Sequence, residues 1–167
     1  GLGSMILAFT YPFMKRITYW PQLFLGLTFN WGIIMAWAAV NNNISHEIIA
    51  LYISAIFWTL GYDTIYGAQD MKDDEIIGVK STSIKFKENM KVFVSSSYFL
   101  TLIILGYLFY NELGINILSF FFMLFAISLL FQLILFEQTK PDKCLMAFKM
   151  NNFSGLILFL GIISKNL

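Results

Sequence analysis

The sequence has too few charged residues for a soluble protein of its length. Only 13% of its 167 residues are charged, about half of the ~25% that is usual in soluble domains, whereas 58% are hydrophobic. So few polar side chains cannot cover so many apolar ones, which excludes a water-soluble domain and favours a membrane protein. The net charge of +1 also predicts no nucleic-acid partner, because no excess of positive charge is present to attract phosphates.

Cysteine and histidine are nearly absent, and this removes several kinds of site. With Cys144 as its one cysteine, the chain has neither an internal disulfide nor a cysteine zinc cluster. The one histidine, His46, lies in a loop away from the charged segments, which excludes histidine-based catalysis there. Walker-type phosphate loops, Rossmann fingerprints and serine-hydrolase elbows are also missing.

Long apolar runs are abundant instead. A bilayer core of ~30 Å is crossed by about 20 helical residues, and backbone groups in lipid must bond within their own segment. The sequence therefore predicts an all-α, polytopic transmembrane helical bundle that forms a single integral membrane domain over residues 1–167. It has five predicted spans, and residues 2–14 are predicted to be the end of a sixth. The five spans are residues 23–40, 44–62, 92–110, 115–136, and 153–164 with 147–152.

The basic residues predict which loops share a side of the membrane. Ten of the eleven lysines and arginines fall in segments 15–21, 63–91 and 137–149. Segments 41–45 and 111–114 hold none, and Lys165 alone falls on that side. By the positive-inside rule the charged loops face the cytoplasm. We expect a multi-pass protein of a bacterial inner membrane, or of the mitochondrial inner membrane in a eukaryote.

The chemistry-bearing residues follow the second span. If the helix continues past the membrane, Asp63, Asp70 and Asp74 lie within roughly 40° of one another on one face, with Tyr66 and Asp73 on the adjoining flank. Stacked like charges destabilise a helix and need a counter-charge. Mg²⁺ is the natural candidate, because it binds through one or two carboxylates together with substrate phosphates. The alternative is a solvated acidic helix end.

Two neighbouring segments supply cations. Lys80, with the hydroxyls of Ser81 and Thr82, is placed to hold phosphate oxygens. Lys15 and Arg16 follow the first apolar run, and pattern alone leaves open whether they anchor the chain at the membrane surface or bind a substrate anion.

These segments together carry a resemblance. The sequence resembles the UbiA family of intramembrane prenyltransferases, and within it the branch that prenylates 4-hydroxybenzoate in ubiquinone synthesis. Gly67 stands where that branch usually has alanine, a swap that we expect to matter little. The matching motifs are Asp63-Thr64-Ile65-Tyr66-Gly67-Ala68-Gln69-Asp70-Met71-Lys72-Asp73-Asp74, Ile77-Gly78-Val79-Lys80-Ser81-Thr82 and Tyr11-Pro12-Phe13-Met14-Lys15-Arg16. Menaquinone-type and haem-farnesylating members lack the Tyr66 and Asp73-Asp74 pattern.

The resemblance implies a reaction and roles for residues. Mg²⁺ ions held between two aspartate motifs neutralise a polyprenyl diphosphate, and the ring of 4-hydroxybenzoate attacks the allylic carbon. Asp63 and Asp70, with Tyr66 facing the allylic cation, would be the catalytic residues. Lys80 and Ser81 would contact the diphosphate, and Lys15 or Arg16 the diphosphate or the benzoate carboxylate. Asp63, Asp70 and Asp74 would bind metal, with Asp73 supporting them.

One departure concerns the first aspartate motif of the family, which this sequence does not contain. We therefore expect the C-terminal part of a nine-helix fold that lacks about three helices, and with them half of the metal site. A membrane fragment without catalytic activity is the alternative. A transporter is disfavoured, because the spans are almost free of ionisable residues.

Overall fold

The computed structural model describes residues 1–164, and Lys165 lies outside them. Every regular element in this part of the chain is a helix. The helices are α1 (Leu2–Ile17), α2 (Pro21–Phe29), α3 (Trp31–Asn41), α4 (His46–Gln69), α5 (Met71–Ile77), α6 (Thr82–Lys85), α7 (Met90–Leu108), α8 (Ile117–Leu135), α9 (Pro141–Lys149) and α10 (Asn151–Ser164).

The five predicted spans are confirmed as helices. Five segments within residues 1–164 are long and apolar enough to cross a membrane, and the chain is a multi-pass membrane protein. These segments are Pro21–Asn41, His46–Gln69, Met90–Leu108, Ile117–Leu135 and Pro141–Ser164.

The first of these spans is divided at Asn30, which sequence reasoning did not foresee. The side-chain amide of Asn30 donates to the carbonyl of Gly26 at 2.9 Å and to Oγ1 of Thr59 at 2.8 Å. Because the amide reaches across to α4, it fixes the junction of α2 and α3 against the central helix. The last span is divided at Met150, but the amide of Ser154 donates to the carbonyl of Met150 at 3.1 Å, so helical hydrogen bonding continues from α9 into α10.

Helix α4 lies at the centre and packs against α2, α3, α7 and α9. Its residue Gly61 faces the ring of Tyr98 on α7 so closely that a Cβ there would lie 2.7 Å from Cδ1 of that ring. The hydroxyl of Tyr98 donates to Oε1 of Gln132 at 2.6 Å, and Nε2 of Gln132 donates to Oγ of Ser154 at 2.8 Å. These buried groups join α7, α8 and α10 through satisfied polar contacts.

The single helix on which the grouping of Asp63, Asp70 and Asp74 was conditional is divided at Asp70. Helix α4 ends at Gln69, Asp70 occupies the junction, and α5 begins at Met71. Gly78, at φ 78°, then ends α5 in the left-handed conformation that glycine adopts most readily. The chain thereby turns back and lays the segment from Val79 to Lys85 against α1 and α4.

Candidate functional site

A polar pocket of about 80 Å³ opens where α1 and α4 end and α2 and α5 begin. Ten residues from these elements and from the segment before α6 form its wall: Tyr11, Lys15, Pro21, Gln22, Asp63, Tyr66, Gly67, Asp70, Asp74 and Ser81. Six of the predicted site residues therefore meet in one place.

The three carboxylates predicted to share a face do line this pocket, despite the break in the helix. The amide of Asp74 donates to the carbonyl of Asp70 at 2.9 Å, so the helical spacing survives across the junction. Partial burial raises the pKa of Asp74, and the negative charges of Asp70 and Asp73 raise that pKa further, whereas Lys15 lowers it. The negative charges of the cluster therefore still disfavour an additional negative charge in the pocket.

The donor set fits a hard cation that shares its ligands with a substrate. Carboxylate oxygens are what Mg²⁺ prefers, and it usually binds through only one or two of them plus phosphates. Within residues 1–164 no three acidic, histidine or cysteine groups come close enough to hold a metal by themselves. Asp63, Asp70 and Asp74 therefore suit one side of a metal–diphosphate site.

The predicted cations occupy different positions. Lys15 lines the pocket, whereas Arg16 is exposed at its side and does not line it. Lys80 also lies outside the wall: its Nζ donates to the carbonyl of Ile17 at 3.2 Å and lies 5.5 Å above the ring of Tyr19. In this position Lys80 satisfies a carbonyl at the C-terminus of α1.

The remaining predicted site residues also differ in whether they line the pocket. Ser81 is buried in the wall, and its hydroxyl accepts the amide of Ile84 at 3.2 Å as the cap of α6. Asp73 is exposed and does not line the pocket. Tyr66 is 39% exposed, and its ring centroid lies 4.7 Å from that of Phe148 on α9.

Sequence reasoning missed the scaffold beneath the pocket. Oε1 of Gln22 accepts the amide of Thr82 at 2.9 Å, and the hydroxyls of Thr64 and Thr82 are 2.7 Å apart. Ser83 donates to the carbonyl of Thr64 at 2.8 Å. The signal was present as the run Ser81-Thr82-Ser83, but only the fold shows that the hydroxyls of Thr82 and Ser83 bind Thr64 of α4.

Gly67 is also more constrained than the sequence suggested. A Cβ at this position would lie 2.6 Å from Oγ of Ser83 and 3.2 Å from Nε2 of Gln22. Both neighbours are held by hydrogen bonds of their own. Alanine here would require Ser83 to shift, a constraint that the small size of both residues does not reveal.

Comparisons with known proteins agree with this architecture. Residues 1–154 match the model of the UbiA prenyltransferase family. The whole chain aligns with the mitochondrial 4-hydroxybenzoate polyprenyltransferases of Bos taurus, at 43% identity, and Homo sapiens, at 42%. The chain spans 45% of the length of each of these relatives.

A solved structure shows the same fold. The apo structure of a UbiA homolog from Aeropyrum pernix K1 superposes with a TM-score of 0.79 at 21% sequence identity. The match covers 98% of this chain and 62% of that one. With the family model and the relatives, it shows that the chain belongs to the UbiA prenyltransferase family.

Proposed function

We propose that this chain takes part in transferring a polyprenyl group from its diphosphate to the ring of 4-hydroxybenzoate, a step of ubiquinone biosynthesis. The observation that carries the proposal is the meeting of Asp63, Asp70 and Asp74 with Lys15 in one pocket at the end of α4. The relatives that match over the whole chain are named 4-hydroxybenzoate polyprenyltransferases. As the chain covers under half of their length, the activity belongs to the larger assembly of helices.

The acidic groups bind the leaving group through metal. Asp63, Asp70 and Asp74 would hold Mg²⁺, with Asp73 supporting from outside the pocket. Bound metal would neutralise the diphosphate, and the neutralised diphosphate is a better leaving group. Lys15, the cation in the wall, offsets part of the acidic charge before the substrate arrives.

The other cations and the hydroxyl of Ser81 would bind the anionic groups of the substrates. We assign Lys80 and Ser81 to the diphosphate, with Lys80 exchanging the Ile17 carbonyl for a phosphate oxygen. Arg16, exposed beside Lys15, suits bidentate capture of the benzoate carboxylate. Lys80 and Arg16 lie outside the pocket wall, where an incoming anion would first meet positive charge, and Ser81 lies within the wall.

Tyr66 would stabilise the positive charge that develops on the allylic carbon. Its ring lines the same pocket as the carboxylates, and the face of an aromatic ring attracts a cation. The ring also packs against that of Phe148, with the two centroids 4.7 Å apart.

The family and the mitochondrial relatives support a place in the mitochondrial inner membrane, with polyprenyl diphosphate arriving from the lipid phase. Charged loops on one side would keep the acidic pocket in contact with water, where Mg²⁺ and the benzoate are available.

The test is turnover in a chimera in which this chain replaces the stretch that it matches in the bovine relative. Asp63→Asn and Asp70→Asn should each lower prenylation of 4-hydroxybenzoate about a hundredfold or more, because each removes charge stabilisation from the reacting centre. Asp142→Asn, in the first turn of α9, is the control and should leave turnover unchanged. Full turnover in both pocket variants would refute the assignment.

A further inference from the structure

A second cavity lies away from the acidic pocket, on the outer side of α7 and α8. It encloses about 430 Å³, within the range of ligand-binding pockets. Its walls are formed by Ser95, Phe99 and Leu102 of α7 and by Leu129, Leu130 and Leu133 of α8, among others. We call it the α7–α8 groove.

The groove is apolar and opens towards the membrane. Phe99 and Leu130 on its two rims are 63% and 57% exposed, as expected for side chains that face lipid. Two of the three polar side chains in its walls are engaged elsewhere, because Ser95 donates to the carbonyl of Lys91 at 2.7 Å and Tyr98 donates to Gln132 at 2.6 Å. The third, Ser96, is exposed. The rest of the wall is apolar, so the groove suits a hydrocarbon chain.

One end of the groove carries positive charge. Lys91 lies one helical turn before Ser95, on the same face of α7, and is exposed. No ion pair involves Lys91 in the described part of the chain, including with the nearby Glu88. Across the groove, Glu137 is already paired with Lys140 and Lys143. At this mouth Lys91 is thus an exposed cation without an ion-pair partner.

The two loops at this mouth are joined. Nε2 of Gln138 donates to the carbonyl of Lys87 at 2.9 Å, which ties the segment after α8 to the segment before α7. Lys87 itself pairs with Glu75. Lys91 is therefore left as the unpaired cation at a mouth whose position is fixed on both sides.

The dimensions match one leaflet of a bilayer. Ser95 to Leu102 covers about 10 Å along α7, and Lys91 lies about 6 Å further out. The sum is close to the ~15 Å of half a hydrocarbon core. A chain lying in the groove would place its headgroup beside Lys91.

We infer that the α7–α8 groove binds one anionic phospholipid, with an acyl chain against Phe99, Leu130 and Leu133 and the phosphate at Lys91. The inference does not depend on the proposed prenyl transfer, because it uses none of the residues of the acidic pocket. Charge complementarity selects an anionic lipid over a zwitterionic one, since a basic side chain near a membrane surface attracts the former.

The test is native mass spectrometry of the full chain, released from bilayers of equal parts phosphatidylglycerol and phosphatidylcholine. The chain should retain one phosphatidylglycerol. Lys91→Gln should lower its retention about fivefold, whereas Lys72→Gln, which removes an exposed cation from α5, should not. Ser95→Phe, which fills the groove, should remove the bound lipid, and Ala39→Phe, at an exposed site on α3, should retain it.

Three results would overturn the inference. They are equal retention of the two lipids by the unaltered chain, an equal loss with Lys91→Gln and Lys72→Gln, and a lipid-free dimer in which a second copy of the chain covers the groove. Because the lipid is weighed directly, a variant that fails to fold is recognised by its loss of compact charge states and is replaced by Lys91→Ala.

Discussion

At the scale of single residues, Gly67 shows how closely the pocket wall is fitted to its support. The position lies between Ser83 and Gln22, whose side chains hold the returning segment against α4. Sequence comparison suggests that glycine and alanine are equivalent here, because both are small. The equivalence fails because one methyl group has no space unless Ser83 moves.

We expect Gly67→Ala to lower the free energy of unfolding by about 1–3 kcal/mol, the usual cost of overpacking. Adding Ser83→Ala should recover part of this loss, because the two residues are in contact and their effects are not additive. Equilibrium unfolding in detergent micelles measures both values. Gly32→Ala, where a Cβ meets nothing within 4 Å, is the control, and an equal effect at Gly32 would contradict the steric explanation.

The site residues differ in how much of their role can be predicted from the sequence. Asp63, Asp70 and Asp74 could be grouped from their spacing, because helical periodicity alone brings them to one face. Lys80 could not be placed, because its contact with the Ile17 carbonyl joins segments more than sixty residues apart. Pattern gives the type of each side chain, and tertiary packing decides which of them reach the pocket.

At the scale of helices, the five spans were predictable, since length and hydrophobicity in a membrane leave few alternatives to helix. Their interruptions were not. Asn30 divides its span through contacts with Gly26 and Thr59, and one of these partners belongs to another helix. The end of α4 at Gln69, with Asp70 between α4 and α5, was equally unforeseen.

The α7, α8 and α10 helices are joined by the Tyr98–Gln132–Ser154 hydrogen bonds, and this gives a prediction about stability. Tyr98→Phe keeps the ring against Gly61 but leaves Oε1 of Gln132 without its donor. We expect a loss of about 0.6–1.7 kcal/mol in the free energy of unfolding, the range measured for such bonds between membrane helices. Tyr107→Phe, at a 79% exposed position on the same helix, should have no effect. Equal losses in the two variants would show that the bond contributes nothing.

At the scale of the whole molecule, the spans place the loops alternately on two sides of the membrane. We expect the acidic pocket and the basic segments to share one side, and the loop between α3 and α4 to lie on the other. This arrangement follows because successive membrane-spanning segments cross the membrane in opposite directions. It can be tested without any assay of activity.

The test uses single cysteines in a Cys144→Ala background. Asn42→Cys and Lys72→Cys should react with a membrane-impermeant maleimide from opposite sides of sealed vesicles, because α4 crosses between them. Labelling of both positions from the same side would contradict the assignment of α4 as a span.

The central claim is that the pocket at the end of α4 binds a diphosphate through Mg²⁺. Calorimetry with inorganic diphosphate measures this most directly, in the chimera that joins this chain to the rest of the bovine relative. We predict saturable binding that requires Mg²⁺, is lost with Asp63→Asn or Asp70→Asn, and is retained with Asp142→Asn. Binding that is independent of Mg²⁺, or equally strong in all three variants, would contradict the account.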